Sequence, residues 1–309
     1  MPDFAKKVLR LTFSVASTVS PRGAGKLAFR VFSLAPSRFP KGERARSVFA
    51  EGAGRLSRAE PRTISTPHGK VMTYRLAPPN AAAGPSGGGR HLVVHGWGSR
   101  SEYMAALAEG VAKATGGEVI LLDFPGHGAS GGRFLDMRLA VEAITEVDRT
   151  FGPFDGAVGH SFGGASLMVA ACRFLPQFPA FTPGRMALIG APSEMDGIFR
   201  YFSQKVGLPA RAQPHLEKEV RRITGRRSGD FDIARAGQDL DLPVLVVHAE
   251  DDKEVSADHA RRYAALGENV QLGWANGYGH RRIVAAPPVI DLVSSFLRRD
   301  GAAEIAEAG

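Results

Sequence analysis

"FDGAVGHSFGGASLMVAACRFL" runs from Phe154 to Leu175 and divides at its glycines. "FDGAVGH" (154–160) is a short apolar run that reads as a buried strand, and "GASLMVAACRFL" (164–175) as an apolar helix. Between them Gly159, Ser161 and Gly163 take the spacing G-x-S-x-G. Glycine costs backbone entropy in regular structure, so such a cluster marks a place where the chain bends sharply or is closely approached. A strand that turns at once into a helix presents its serine hydroxyl at the carboxyl end of a sheet, where open α/β sheets bind ligands. The turn also points helix-N-terminal amides at the space above the serine, which suits a developing oxyanion. The bland alternative is a Gly-rich turn with an incidental serine, and the rest of the chain decides between the two.

Outward from this turn, short apolar runs and helical patterns alternate. Strands are predicted at 91–96, 118–124, 185–191, 243–249 and 269–275, and helices at 101–116, 137–152, 257–267 and 287–299. Continuous apolar strands alternating with amphipathic helices indicate an α/β fold, with a mostly parallel central sheet and helices on both faces. "RTISTPHGKVMTYRLA" (62–77) reads as a β-hairpin ahead of that series, and "PPNAAAGPSGGG" (78–89) as a loop without periodicity. Residues 192–241 interrupt the alternation with helical, Arg-rich sequence too long for a simple connection, so they read as a helical lid insertion. The chain therefore divides into a basic N-terminal helical arm (1–60), a core (61–191 and 242–300), the lid (192–241) and a C-terminal tail (301–309). Within the arm, helical pieces broken by Pro21, Gly23, Pro36 and Pro40 are expected.

Composition narrows the function classes. The 309 residues are 44% hydrophobic, enough for one large core with an insertion. No apolar run is long enough for a transmembrane helix, and Leu11–Ser20 makes a poor signal-peptide core, so a cytoplasmic location is expected. Cys172 is the only cysteine, which excludes an internal disulfide and a thiolate zinc cluster; it reads as a buried structural thiol. The net charge of +8 lies wholly in residues 1–60, which hold 12 Lys and Arg against 4 Asp and Glu, whereas the remainder holds 27 of each. A balanced body argues against a nucleic-acid partner. The basic arm, with Phe13, Phe29, Phe32 and Phe39, could make a peripheral contact with an anionic membrane, but its dispersed charges favour an arm packed on the body.

A serine nucleophile requires a base and a carboxylate to orient it. Of nine histidines, His280 in "NGYGHRRIV" stands in a glycine-flanked loop after the last strand, where nothing calls for a core histidine. His95, His127 and His160 lie at strand ends or in the loops after them, and His248 sits in an apolar strand that favours structural burial. For the acid, "VVHAEDDKEVS" offers Glu250, Asp251 and Asp252 directly after a strand. The order serine, acid, histidine is that of one particular hydrolase architecture.

With "VVHGWG", "LLDFPGHGAS", "VGHSFGG", "VVHAEDDKEVS" and "GYGHRRI" in order, the chain resembles α/β-hydrolase-fold serine hydrolases of the esterase, lipase and peptidase type over about residues 60–300. The resemblance implies a catalytic triad of Ser161, Asp252 and His280. It places Asp252 at the acid of the family's H-G-x-x-D-x-x-V segment, although Ala249 replaces the usual glycine and keeps Asp251 as a second choice. It likewise implies an oxyanion hole from the backbone amides of Trp97 and Phe162, and no metal or organic cofactor. The "PGHG" and "HGW" segments are similar to those of haloalkane dehalogenases and epoxide hydrolases, but those carry an aspartate where this chain has Ser161. The expected activity is hydrolysis of a small-molecule carboxylic ester or thioester. Alternatives on the same machinery are an aminopeptidase or a carbon–carbon bond hydrolase, and a further one is a non-catalytic ligand-binding homologue. In the lid, Phe199, Tyr201, Phe202, Val206 and Leu208 are expected to form an apolar wall over Ser161, with Phe199, Phe202 and the Trp97 side chain as substrate contacts, while Arg200, Arg211, Arg221 and Arg222 face water. The oligomeric state stays open.

Overall fold

The computed structural model describes residues 3–78 and 88–298, with side chains from Lys7 onward. The predicted loop at 78–89 and the tail at 301–309 thus lie largely or wholly outside the described residues. Three helices come first: α1 (Asp3–Val19), α2 (Pro21–Phe32) and α3 (Glu43–Leu56). The helical pattern breaks at Ser20 as expected, while Pro21 and Gly23 lie in the first turn of the helix that follows. Pro21 occupies the first turn, where its missing N–H costs nothing, and the Ser20 hydroxyl caps the helix by accepting from the Gly23 amide at 3.0 Å.

The hairpin follows as β1 (Glu60–Thr66) and β2 (Gly69–Leu76), antiparallel with Thr66 opposite Gly69. Then come β3 (Arg90–Val94), α4 (Ser101–Thr115), β4 (Glu118–Asp123), α5 (Met137–Phe151), β5 (Gly156–His160), α6 (Phe162–Ala171) and β6 (Met186–Ile189). Helices α7 (Asp196–Val206), α8 (Gln213–Thr224) and the short α9 (Ile233–Ala236) intervene before β7 (Val244–His248). The chain closes with α10 (Asp258–Ala264), β8 (Val270–Trp274), α11 (Gly279–Arg282) and α12 (Pro287–Leu297). The eight strands form one sheet in the order β1-β2-β4-β3-β5-β6-β7-β8. The β1–β2 and β2–β4 pairs are antiparallel and all the others parallel. Strands β4, β5, β6 and β7 are buried along their whole length, as expected of strands covered on both faces.

Two buried clusters flank the sheet. One face packs Val93, Leu121 and Val247 against Met104, Leu107 and Val111 of α4 and Val289 and Val293 of α12. The other face packs Leu92, Ile120 and Leu122 against Ile144 and Val147 of α5 and Leu167 and Met168 of α6. This second cluster runs on without interruption into the inserted helices, through Phe199, Val206, Leu216 and Val220, and into the arm, through Phe13, Ala24, Ala28 and Phe29. The arm is therefore not an appendage outside the core. Small residues on one face of α2 let its backbone reach α8: a Cβ on Gly25 would lie 2.5 Å from His215 Cβ and 2.6 Å from the backbone nitrogen of Leu216. Arg211 adds bonds to the hydroxyls of Ser17 at 3.1 Å and Thr18 at 2.6 Å.

Two glycine substitutions test this docking. Gly25→Leu is expected to cost about 1–3 kcal/mol or more, because backbone lies where the new side chain must go. Gly54→Ala, in α3 with nothing within 4 Å of its Cβ position, is expected to stabilise by up to about 1 kcal/mol. Thermal unfolding of both variants checks the pair, and equal effects would contradict a tightly docked arm.

Candidate active site

The turn between β5 and α6 carries Ser161 with φ 52° and ψ −123°, a left-handed conformation that L-residues rarely adopt. Its neighbours explain how it is held. A Cβ on Gly159 would stand 2.6 Å from the backbone of Gly164, and one on Gly163 would stand 2.5 Å from the His95 carbonyl oxygen. The Ser161 amide donates to the Ile189 carbonyl of β6 at 2.8 Å, tying the turn to the next strand. The hydroxyl is left partly open to solvent, above the carboxyl ends of the strands.

His280, at the start of α11, brings its Nε2 within 2.9 Å of Ser161 Oγ. Its Nδ1 lies 2.7 Å from Asp252 Oδ2. Asp252 Oδ1 accepts from the amides of Glu254 at 2.8 Å and Val255 at 2.9 Å, so both carboxylate oxygens are engaged. Burial would raise this carboxyl's pKa, but the bonds from His280 and the two amides outweigh it and hold Asp252 below the usual carboxylate value. The neighbouring carboxylate has different work. Asp251 is exposed and accepts from the Gly277 amide at 2.9 Å, bracing the loop that carries His280. Glu250 pairs with Arg261 at 3.0 Å.

Three other histidines shape the site without touching Ser161 Oγ. His160 Nε2 donates to the His280 carbonyl at 2.9 Å, and its ring lies 4.9 Å from the His280 ring. His127 Nε2 accepts from the Gly98 amide at 3.0 Å and its Nδ1 donates to the Pro125 carbonyl at 3.0 Å, fixing the segment that carries Trp97. His95 accepts from the Phe124 amide at 3.1 Å. His248 is fully buried as expected, with Nε2 on the Val255 carbonyl at 3.0 Å and 3.6 Å from Asp252. The positioning roles of His160 and His127 escape a reading of the sequence. Each touches a loop remote in sequence, and only the position of each at a strand end or in the loop beyond it marks it.

Aromatic side chains gather beside the serine. Trp97 stands edge-on to Phe162, with centroids 5.7 Å apart, and to His127 at 5.5 Å. Phe199 and Phe202 of α7 do not meet this pair directly; Phe32, at the end of α2, joins them. Its ring stacks on Phe199 at 4.5 Å, meets Phe202 edge-on at 5.2 Å and lies 6.4 Å from Trp97. The wall expected from the insertion is therefore narrower than the sequence indicates, and partly built by the arm. Tyr201 is excluded from it, because it sits on the opposite side of α7 with its ring in solvent beside Lys205. Val206 and Leu208 are buried in the cluster that the sheet, the insertion and the arm share. Arg200, Arg211, Arg221 and Arg222 are exposed, as predicted. Among the described residues no cluster of His, Cys, Asp and Glu could hold a metal ion. Cys172 is half-buried rather than buried as expected, and desolvation raises its thiol to about 12.

Burial also lowers the pKa of His95 and of His160 to about 3. In the unfolded chain both take up a proton near pH ~6.5. The unfolded state thus binds more protons between about pH 6.5 and about pH 3, and stability falls as pH falls through that window. Melting temperatures measured across it are expected to drop steadily, and the drop is expected to be smaller in His160→Gln than in the wild type.

Residues 92–291 match the family model described as "Alpha/beta hydrolase family". Among curated proteins none matches the sequence. Similar solved structures include proline iminopeptidase from Mycobacterium smegmatis, at TM-score 0.58 and 18% identity over 77% of this chain and 97% of that one. Est1E from Butyrivibrio proteoclasticus, solved with ferulic acid bound, aligns at TM-score 0.52 and 17% identity over 77% and 96%. The esterase domain of a Rhodothermus marinus protein aligns at TM-score 0.55 and 15% identity over 77% and 95%. At these identities the likeness is one of fold, an eight-stranded, mostly parallel sheet covered by helices. The family match spans well over half of the chain, and the chain belongs to the α/β hydrolase family.

Proposed function

We propose that this α/β hydrolase is a serine hydrolase that cleaves a carboxylic ester or thioester through an acyl-enzyme. The observation that carries the reading is the unbroken chain Ser161 Oγ, His280, Asp252, at 2.9 and 2.7 Å. With its proton on Nδ1, His280 donates to Asp252 and offers the Nε2 lone pair to the serine. Ser161 Oγ attacks the substrate carbonyl carbon while His280 Nε2 takes the hydroxyl proton. The imidazolium is stabilised by Asp252. Collapse of the tetrahedral intermediate breaks the bond to the alcohol or thiol, which leaves with the proton from His280. Water then attacks the acyl-serine by the same route and releases the acid. The amide of Phe162, first residue of α6, has no partner within its helix and is free for the oxyanion. The Trp97 amide is the second donor, each worth about 3–4 kcal/mol in comparable sites. The aromatic surroundings of Ser161 favour an apolar acyl group over the charged amine that an aminopeptidase must bind.

Labelling by a fluorophosphonate probe tests the mechanism. The wild type is expected to label, Ser161→Ala and His280→Ala to lose labelling, and kcat/KM to fall on the order of 10⁴-fold in Asp252→Asn. Asp251→Asn is expected to lose less than about tenfold, because that carboxylate braces a loop rather than the base. Equal losses in the two variants would reassign the acid.

Phe32 supplies a separate test. Phe32→Ala is expected to lower kcat/KM for octanoyl esters about tenfold relative to acetyl esters, by removal of buried apolar contact. A purely structural ring would lower both alike, and comparison of the two 4-nitrophenyl esters decides.

A further inference from the structure

The arm is apolar on two sides. Helix α1 turns Leu9, Phe13, Ala16 and Ser17 toward the protein, and Phe13 is completely buried. Away from that face, at spacings of three and four residues, stand Val8, Leu11, Val15 and Val19, exposed to 47, 66, 57 and 82%. Four aligned apolar side chains in water are a binding surface rather than the scattered singles that any protein shows. They do not stand alone, since Leu34, Phe39 and Val48 are exposed as well. Among the described residues, seven of the eleven exposed large apolar side chains thus lie in the arm.

The charge of the same segment says what covers it. Residues 4–42 hold eight Lys and Arg and not one Asp or Glu. On α2, Arg22, Lys26 and Arg30 are exposed at four-residue intervals, and Lys7 and Arg10 are exposed on α1. A second copy of the chain docked on this face would bring these cations against their own counterparts, with no acidic residue of the segment to relieve them. An anionic surface with an apolar interior answers both features at once. We propose that the arm docks on an anionic phospholipid bilayer. Val8, Leu11, Val15 and Val19 enter the headgroup boundary, and the exposed Lys7, Arg10, Arg22, Lys26 and Arg30 face the lipid phosphates. The helix lies on the membrane and does not cross it: no helix among the described residues is long and apolar enough to do so. The inference is independent of the reaction at Ser161 and is tested without substrate.

The full-length protein is sedimented with vesicles of phosphatidylcholine and of phosphatidylcholine mixed with phosphatidylglycerol. The wild type is expected to pellet with the mixed vesicles, much less with the neutral ones, and less as salt is raised. The double variant Leu11→Ser, Val15→Ser alters only outward side chains and keeps the charge, so its melting temperature is expected to stay unchanged. Its partition onto the mixed vesicles is expected to fall about tenfold or more. Arg22→Gln with Lys26→Gln is expected to weaken binding and to flatten the salt dependence. The proposal is overturned if the wild type stays in the supernatant with mixed vesicles, or if the serine variant pellets as the wild type does. It is equally overturned if the stripe proves to be a dimer contact, shown by a wild-type dimer that the serine variant dissociates and that binds no vesicles.

Discussion

A backbone held at φ 52° on a residue with a side chain is the constraint on which the site depends. Such a conformation costs on the order of 1–3 kcal/mol and persists only where its surroundings leave the chain no alternative. Here the surroundings are the His95 carbonyl against Gly163, the start of α6 against Gly159, and the Ile189 carbonyl on the Ser161 amide. Strands β3, β5 and β6 thus converge on one peptide. Relaxing the turn would swing Oγ off the line to His280 and move the first amides of α6 away from the space above the serine. Strain, hydroxyl direction and amide direction are one geometric fact.

His280 is held by a different logic. It sits on a one-turn helix with no rigid element of its own, so it is fixed from outside by three side chains from two other places, the turn after β7 and the end of β5. Asp252 takes its ring, His160 takes its carbonyl, and Asp251 takes the Gly277 amide of its loop. His160 directly precedes Ser161 in sequence. A displacement of the turn therefore carries both Ser161 and the anchor of His280, which keeps the two side chains in register.

What was legible in the sequence was what the backbone itself demands. The glycines around Ser161, the strand-to-helix change of period and the order of serine, carboxylate and histidine are local or ordinal signals, and the structure places all three groups together. The choice between Asp251 and Asp252 was not local, since both lie in one turn and only the position of a loop 28 residues further on separates them. Phe32 carried no signal at all. It reads as one more apolar residue on an amphipathic helix, and its partners Trp97 and Phe199 are remote in sequence. Tyr201, by contrast, is separable by period. Phe199, Phe202 and Val206 follow helical spacing and Tyr201 stands outside it, so period alone puts its ring on the other side of α7.

The route of the chain through the arm has a consequence for how the protein is made. Residues 3–32 leave the ribosome before any strand of the sheet, whereas the helices they pack on, α7 and α8, follow only after six strands have been made. Ser17 must wait for Arg211, 194 residues later. Until then Phe13, Phe29 and the small face of α2 have nothing to cover them, and the chain carries both apolar sides of α1 into solution. Closing so long a loop comes late, after the local βα units have formed. Docking of α1 and α2 on α7 and α8 thus belongs to the late steps of assembly.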